Sequence, residues 1–350
     1  MTRRAPLRLA VAGAGLIGRA HIERIADHDD CLLAGVTDPS PAAADVARAA
    51  GVPLFDDLPT MLGALRPDGV ILATPNAMHV PGALQCIERG VPVLVEKPVA
   101  DTLEDAHRLA DAAAATRVPV LVGHHRRHSR ILEAARSVIS SGRLGRIVAV
   151  NGSATFHKPA GYFRDGPWRT RRGGGPILIN LVHEIDNLRM LLGEVAQVQA
   201  MASSAARGFE VEDTAAISLR FHSGALGTFL LSDTAASARS WEQTTGENAA
   251  YDRHADEDCY IIAGDRGSLN VPTMRLCTSV GEPSWFTPMA IEVLDRSVGD
   301  PLARQLAHFC AVIRGHDEPL VSAADAARTL RVTLAVVESA RRGGAPVRID

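Results

Sequence analysis

Gly13, Gly15 and Gly18 follow directly on the apolar run Leu7-Arg-Leu-Ala-Val-Ala, in the spacing that lets a backbone approach a pyrophosphate. Gly13 allows a tight turn and Gly18 a close helix–strand contact. Gly15, with Leu16 and Ile17 after it, opens a helix whose N-terminus can take an anion. About twenty residues beyond the last glycine, Asp38 ends the apolar run Cys31-Leu-Leu-Ala-Gly-Val-Thr. A carboxylate there accepts hydrogen bonds from ribose hydroxyls and repels a 2′-phosphate, which predicts NAD as cofactor rather than NADP.

Two more segments carry groups that could hold a ligand or move a proton. Gly69-Val-Ile-Leu-Ala runs into Thr74-Pro75-Asn76, with His79 just beyond, and Val91-Pro-Val-Leu-Val ends in Glu96-Lys97-Pro98. Both turns fall at the carboxyl end of strands, where ligands of open α/β sheets sit, so Thr74, Pro75, Asn76, His79, Glu96 and Lys97 form an expected cofactor rim. Asn76 is placed at the cofactor ribose; His79 either joins it or caps the following helix. Lys97, in a chain with few lysines, is read as functional rather than as a solvated surface group. The segment 177–192 is apolar around most of a helix, yet at about 100° per residue Asn180, His183, Glu184 and Asn187 share a narrow face, with Asp186 elsewhere. Such a stripe beside Gly173-Gly174-Gly175 reads as a site wall. His183 is its acid–base candidate, against the alternative of a core histidine bonded to a neighbour. Arg126 either binds an acidic substrate or forms an internal salt bridge. His157, Lys158 and Tyr162 lie in a loop that could close on substrate, and no metal-ligand spacing is present.

These groups need a scaffold, and the first third of the chain alternates strand and helix signals, as in a parallel sheet covered by helices. Strands are expected at 7–12, 31–37, 69–73, 91–95 and 118–122. Helices are expected at Arg19–Asp27, Pro41–Ala50, Leu58–Leu65, Val80–Arg89 and Leu103–Thr116, with Asp56/Asp57 and Asp101/Thr102 as caps. Beyond residue 123, β-like runs at 146–155, 195–204, 213–221, 225–233, 258–263 and 267–271 predict an antiparallel sheet, with hairpins at His222-Ser223-Gly224 and 264–267. Helices are expected at 129–141, 177–192, 301–315 and 323–341. The polar stretch 237–258 reads as a long loop. The expectation is an α/β chain: a doubly wound, dinucleotide-binding domain over 1–123, then an α/β domain over 124–350 with a large, mostly antiparallel open sheet. The C-terminal helix could return to the first domain.

Composition fits a soluble enzyme of small molecules. The chain has 350 residues, 46% hydrophobic and 22% charged, and a net charge of −3, so it lacks the basic footprint of a nucleic-acid or membrane binder. Five cysteines without paired spacing suggest neither a zinc site nor a disulfide framework, and a reducing cytoplasm suits them. Arg3, Arg4 and Arg8 beside an apolar stretch mimic a secretory leader, but the glycine motif falls inside that stretch, and no run reaches the ~18 apolar residues of a membrane span.

Taken together, Gly13 to Gly18, Thr74-Pro75-Asn76 with His79, Glu96-Lys97-Pro98, Gly123 followed by His124-His125-Arg126-Arg127, and Gly173-Gly174-Gly175 leading to His183 resemble the Gfo/Idh/MocA oxidoreductase family over nearly the whole chain. The resemblance implies an NAD(P)-binding first domain and a second domain whose open sheet mediates a homodimer or homotetramer. It implies sugars, polyols such as inositols, or cyclic diols as substrates. It makes Lys97 the active-site lysine that holds the substrate oxygen, His183 its acid–base partner, and Trp168 and Arg169 a segment that reaches cofactor or substrate. One position departs: many members carry aspartate four residues before the histidine, where this chain has Ile179. Asn180 beside it can orient substrate hydroxyls but cannot act as a base. The expected activity is therefore an NAD-dependent CH–OH dehydrogenase. The alternatives are a glycosidase or lyase that uses NAD transiently, and a nucleotide-binding regulator with impaired catalysis.

Overall fold

The computed structural model describes residues 5–349; Arg3 and Arg4 of the leader-like stretch lie outside the described residues, and Arg8 lies in the first strand. Packing divides the chain into two units. One runs up to His125 and includes Pro301–Leu330; the other comprises Arg126–Asp300 and the residues from Arg331 onward.

In the first unit six strands form an all-parallel sheet. They are β1 (Leu7–Ala12), β2 (Cys31–Thr37), β3 (Leu54–Phe55), β4 (Gly69–Leu72), β5 (Val93–Val95) and β6 (Val120–Val122), in the order β3-β2-β1-β4-β5-β6. Helices cover both faces of such a sheet, so its strands must be apolar throughout, and Leu9 to Ala12, Val70 to Leu72, Val93 to Val95 and Val120 to Val122 are all buried. The order reverses between β1 and β4, the switch point at which parallel sheets open a ligand crevice. Strands β5 and β6 begin later than their apolar runs because Pro92 and Pro119 have no N–H to donate to a ladder. Asp57 and Thr102 cap the helices Leu58–Leu65 and Leu103–Thr116 by accepting from the N–H groups of Thr60 and Asp105. From the returning segment, Leu306, Phe309 and Cys310 of the helix Pro301–Ile313 share a core with Leu9, Ile25, Ile71 and Leu94.

The second unit is built on nine strands. In chain order they are β7 (Ile147–Thr155), β8 (Val195–Ser203), β9 (Thr214–Phe221), β10 (Leu226–Ser232), β11 (Tyr260–Gly264), β12 (Gly267–Val271), β13 (Arg275–Ser279), β14 (Met289–Val293) and β15 (Val347–Arg348). Their order across the sheet is β14-β13-β12-β11-β7-β10-β9-β8-β15. Every pairing is antiparallel except β7 with β10. Both expected hairpins form, the first with Gly224 at φ +90°, between β9 and β10. Three strands escaped the sequence reading, because β14 is exposed throughout and β15 is two residues long, so neither shows alternation; β13 follows only weakly. Elsewhere alternation is clear: Ala215, Ile217, Leu219 and Phe221 face a core with Leu132, Ile185, Leu188 and Val336, while Ala216, Ser218 and Arg220 face out.

The stretch 237–258 is not simply a loop. Residues Trp241–Thr245 form a short helix that buries Trp241 to 1% exposure, its ring 5.9 Å from that of Tyr260. One apolar side chain among polar neighbours carries no periodicity, which is why the sequence hid it. The hydroxyls of Thr244 and Thr245, both buried, donate to the carbonyls of Ser240 and Trp241 and so pay nothing for desolvation. Replacing Trp241 by alanine should cost about 3–5 kcal/mol, the usual range for a buried indole. Chemical denaturation measures it, and a loss below about 1 kcal/mol would mean that the segment is not part of this core.

Candidate active site

The first unit builds a nucleotide cradle from backbone. A Cβ on Gly13 would meet the Ala73 carbonyl oxygen at 2.3 Å, and one on Gly18 would meet the Gly13 carbonyl oxygen at 1.9 Å, so the turn closes only with glycine at both. A Cβ on Gly15 would meet nothing within 4 Å. That is the open space a pyrophosphate requires. The helix Leu16–Ala26 starts directly after Gly15, three residues earlier than its apolar pattern indicates, and no side chain caps it. Leu16 is 76% exposed, leaving the first N–H groups of a positively polarised helix end uncovered by it. Asp38, at the end of β2, accepts from the N–H groups of Ala14 and Ser40, each at 2.7 Å, and its carboxylate is thereby fixed next to the glycine turn. Among the described residues the buried Thr74 hydroxyl has no hydrogen-bond partner, the sign of a polar group kept for something else. The cradle fits a dinucleotide.

At the rim the lysine turn is tied down from behind. Glu96 is 4% exposed; His21 Nε2 donates to its Oε1 at 2.8 Å, and the Lys97 N–H donates to its Oε2 at 3.2 Å. A Cβ at Gly123 would lie 2.9 Å from Oε1, so only glycine leaves this carboxylate its place. Burial pushes the Glu96 pKa up, but the hydrogen bond from His21 and the charges of His21, Lys97 and His125 outweigh it and bring it down to about 2. Glu96 thus braces the turn that carries Lys97. His79 is buried too: at 1% exposure its Nδ1 lies 2.8 Å from the Pro98 carbonyl and its Nε2 2.9 Å from that of Thr74. Burial holds its pKa below the usual histidine range, so the neutral ring donates to one carbonyl at a time and links the Thr74 and Lys97 turns. Asn76, half-buried, opens the short turn Asn76–Met78, and Pro75 before it is exposed.

The second unit gathers a polar cluster of its own. Lys158 follows β7 and is 8% exposed; its Nζ donates to Asn180 Oδ1 at 2.7 Å and lies 3.3 Å from Asp233 Oδ2. Asp233 also accepts from Arg207 Nε at 3.0 Å. Tyr162 lies beneath two cations, with Lys158 Nζ 4.8 Å and the Arg169 guanidinium carbon 3.9 Å from its ring centre. Arg169 also donates to the Tyr162 carbonyl at 2.6 Å, and Trp168 beside it is 51% exposed. His183, 7% exposed, follows Asn180 at the start of the helix Val182–Leu192. Only two of the chain's 37 lysines and arginines are lysines, and both fall in these clusters. That scarcity was the one signal for Lys158. Asp233 and Arg207 have no spacing that could have revealed them.

The expected polar stripe does not survive as drawn. Ile177–Leu181 is a π turn, and only from Val182 does the chain follow α geometry, so a uniform 100° step fails across Asn180 and His183. From Val182 to Arg189 every residue is buried, and Glu184, Asp186, Asn187 and Arg189 all bond to other side chains. Glu184 accepts from Arg126 Nη1 at 2.6 Å and from the Tyr260 hydroxyl, to which Asn187 Nδ2 donates at 2.8 Å. Arg126 also meets Glu242 at 2.9 Å, and Arg127 makes two hydrogen bonds to Asp186. Arg126, at 6% exposure, and Asn187, at 0%, are thus held in a buried network, in which Arg126 Nε and Asn187 Oδ1 have no hydrogen-bond partner among the described residues. His157 is exposed, with its Nδ1 3.0 Å from the Thr234 carbonyl.

Comparison with known proteins agrees with this anatomy. Residues 7–124 match the oxidoreductase family's NAD-binding Rossmann fold, and residues 136–349 match its C-terminal alpha/beta domain. The chain belongs to the Gfo/Idh/MocA oxidoreductase family. Among its relatives, 1,5-anhydro-D-fructose reductase of Ensifer adhaerens is 32% identical over 79% of each chain. Inositol 2-dehydrogenase 4 of Saccharopolyspora erythraea is 34% identical over 54% of each. Among solved structures, the WlbA dehydrogenase of Bordetella pertussis, in complex with NADH and UDP-GlcNAcA, superimposes with a TM-score of 0.80 over 99% of both chains at 26% identity.

As a Gfo/Idh/MocA member the chain offers a test of the strap behind its lysine. A carboxyl group whose pKa is lowered on folding contributes stability above its unfolded value near 4.5 and loses it as the pH falls through about 2. Glu96→Gln should therefore lower stability at neutral pH, by about 1–3 kcal/mol for a broken buried charge-assisted bond, with the difference from wild type shrinking below pH ~4.5. Denaturation midpoints across that range measure it; a pH-independent difference would remove the ionised pair from the account.

Proposed function

We propose that this oxidoreductase, whose relatives include a sugar reductase and inositol dehydrogenases, oxidises a carbinol of a sugar, polyol or cyclic diol with NAD. When bound, NAD supplies the hydride acceptor. Gly13, Gly15, Leu16, Ile17 and Gly18 would hold its pyrophosphate, Asp38 its adenosine ribose, and Thr74, Pro75 and Asn76 the nicotinamide half. The carboxylate of Asp38, fixed by two backbone N–H groups, favours NAD over NADP because a 2′-phosphate would face a negative charge that cannot turn away.

Within the first unit Lys97 would hold a substrate oxygen and stabilise the negative charge that grows on it as a hydroxyl loses its proton; within the second unit His183 is the acid–base group. Asn180 occupies the region where many members place an aspartate. With its amide oxygen engaged by Lys158, it presents its N–H2 to a substrate hydroxyl. Trp168 and Arg169 flank the same unit's Tyr162 and serve as substrate contacts. The observation that carries the reading is the coincidence of the open Gly15 cradle with a lysine fixed at the carboxyl rim of the same sheet.

The outward face of the second unit's sheet supports self-association. Met201, Ala216 and Leu230 lie in one cross-strand row, and Leu226 and Ile261 in neighbouring ones, all exposed. These apolar side chains, interleaved with Ser218, Thr228, Asn151 and Arg220, give a mixed sheet face that suits a homodimer or homotetramer. Among the described residues no helix is long and apolar enough to cross a membrane, and five free thiols suit a reducing cytoplasm.

The decisive assay follows nicotinamide reduction by absorbance over a panel of sugars, inositols and dihydrodiols, with NAD and NADP in parallel. Turnover with NAD is expected, and Lys97→Ala should lower kcat by about 10²–10⁴-fold with NAD affinity retained. Asp38→Ala should narrow the gap between the cofactors. A strong NADP preference in the wild type would refute the role given to Asp38, and conversion of substrate without net NADH would favour a transient-redox enzyme.

A further inference from the structure

Away from the nucleotide cradle, the first unit brings two neighbouring metal-ligating side chains, His28 and Cys31, together with a third, Cys310, that is distant in sequence. His28 follows the helix Leu16–Ala26, Cys31 is the first residue of β2, and Cys310 lies in the helix Pro301–Ile313. One ligand atom from each lies within 4.8 Å of the other two. Cys31 and Cys310 are 5% and 2% exposed, and His28 is half-buried, giving the cluster one route to solvent. Position separates it from the active site: Cys31 marks the amino end of β2, whereas Asp38 lies beyond its carboxyl end.

We propose that His28, Cys31 and Cys310 form a binding site for a thiophilic divalent ion, Zn2+ above all. Two thiolates and an imidazole are a soft donor set, and three protein ligands leave a fourth position for water. In a tetrahedral zinc site with Zn–S near 2.3 Å, neighbouring ligand atoms lie about 3.6–3.8 Å apart. The cluster therefore needs to contract by about 1 Å at most, within reach of side-chain torsions. The two thiols already share a hydrogen bond. The ion would release one proton from each thiol and leave a neutral Zn(Cys)2His centre. His28 Nδ1 now accepts from the Asp30 N–H at 3.1 Å; ligation through either ring nitrogen gives up that bond, a small loss against two metal–thiolate bonds. The consequence is structural. An ion here would tie the returning segment Pro301–Leu330 to the edge of β2, joining parts of the first unit that are distant in sequence.

The test uses the full chain, reduced and freed of metal by chelation, titrated with Zn2+ against a chromogenic chelator and with Co2+ by absorption. One equivalent of Zn2+ should bind, a thiolate-to-cobalt charge-transfer band should appear, and Zn2+ should raise the melting temperature. Cys31→Ser with Cys310→Ser should abolish all three. His28→Ala, which leaves both buried thiols in place, should weaken zinc binding at least tenfold and keeps the test sound should the double variant fold poorly. No stoichiometric binding by the reduced wild type, or equal binding by His28→Ala and wild type, would overturn the proposal. So would a Cys31–Cys310 disulfide as the only chemistry the pair shows.

Discussion

A carboxylate with almost no access to water ties the helix after the glycine turn to the turn that carries Lys97. Glu96 takes its hydrogen bond from His21 on that helix and braces the backbone of the very next residue. An ionised group so deeply buried persists only when it is paired, and here its partners lie on the helix that follows the glycine turn and on the turn that carries Lys97. His79 adds the third constraint by reaching the carbonyls on either side. The rim is therefore a set of turns locked to one another by buried polar contacts, with Gly123 leaving the space that lets the lock form.

The second unit solves a related problem differently. Its helix Val182–Leu192 is buried on all sides, yet carries Glu184, Asp186, Asn187 and Arg189. Arg126, Arg127, Tyr260 and Glu194 pair with them, an ionic layer under the sheet that leaves Asn187 Oδ1 without a hydrogen-bond partner among the described residues. Asn180 lies in the wide turn ahead of this helix and His183 is the helix's second residue, so the change from π to α geometry falls between them.

How much of this could be read in advance follows from the range over which each interaction acts. Glycine spacing, proline positions, cap residues and β alternation are local, so the parallel sheet, the hairpins and helices such as Leu58–Leu65 were legible residue by residue. Lys97 and Asp38 were legible because strand ends are local too. The roles of Arg126 and Asn187 were not, since each depends on partners many residues away: Glu242, Glu184 and Tyr260. The same holds for Asp233 beside Lys158, and for Trp241, whose burial no polar neighbour announces. The parallel pairing of β7 with β10 is likewise a property of the whole sheet.

A basic complement made almost wholly of arginine has a practical side. Guanidinium stays charged and resists acylation, whereas an ε-amine can lose its proton and react. With side-chain amines confined to Lys97 and Lys158, reagents that join proteins to beads, dyes or surfaces through lysine would report on two positions alone. Protection of either by a bound small molecule could then be followed as a single mass increment on a single peptide.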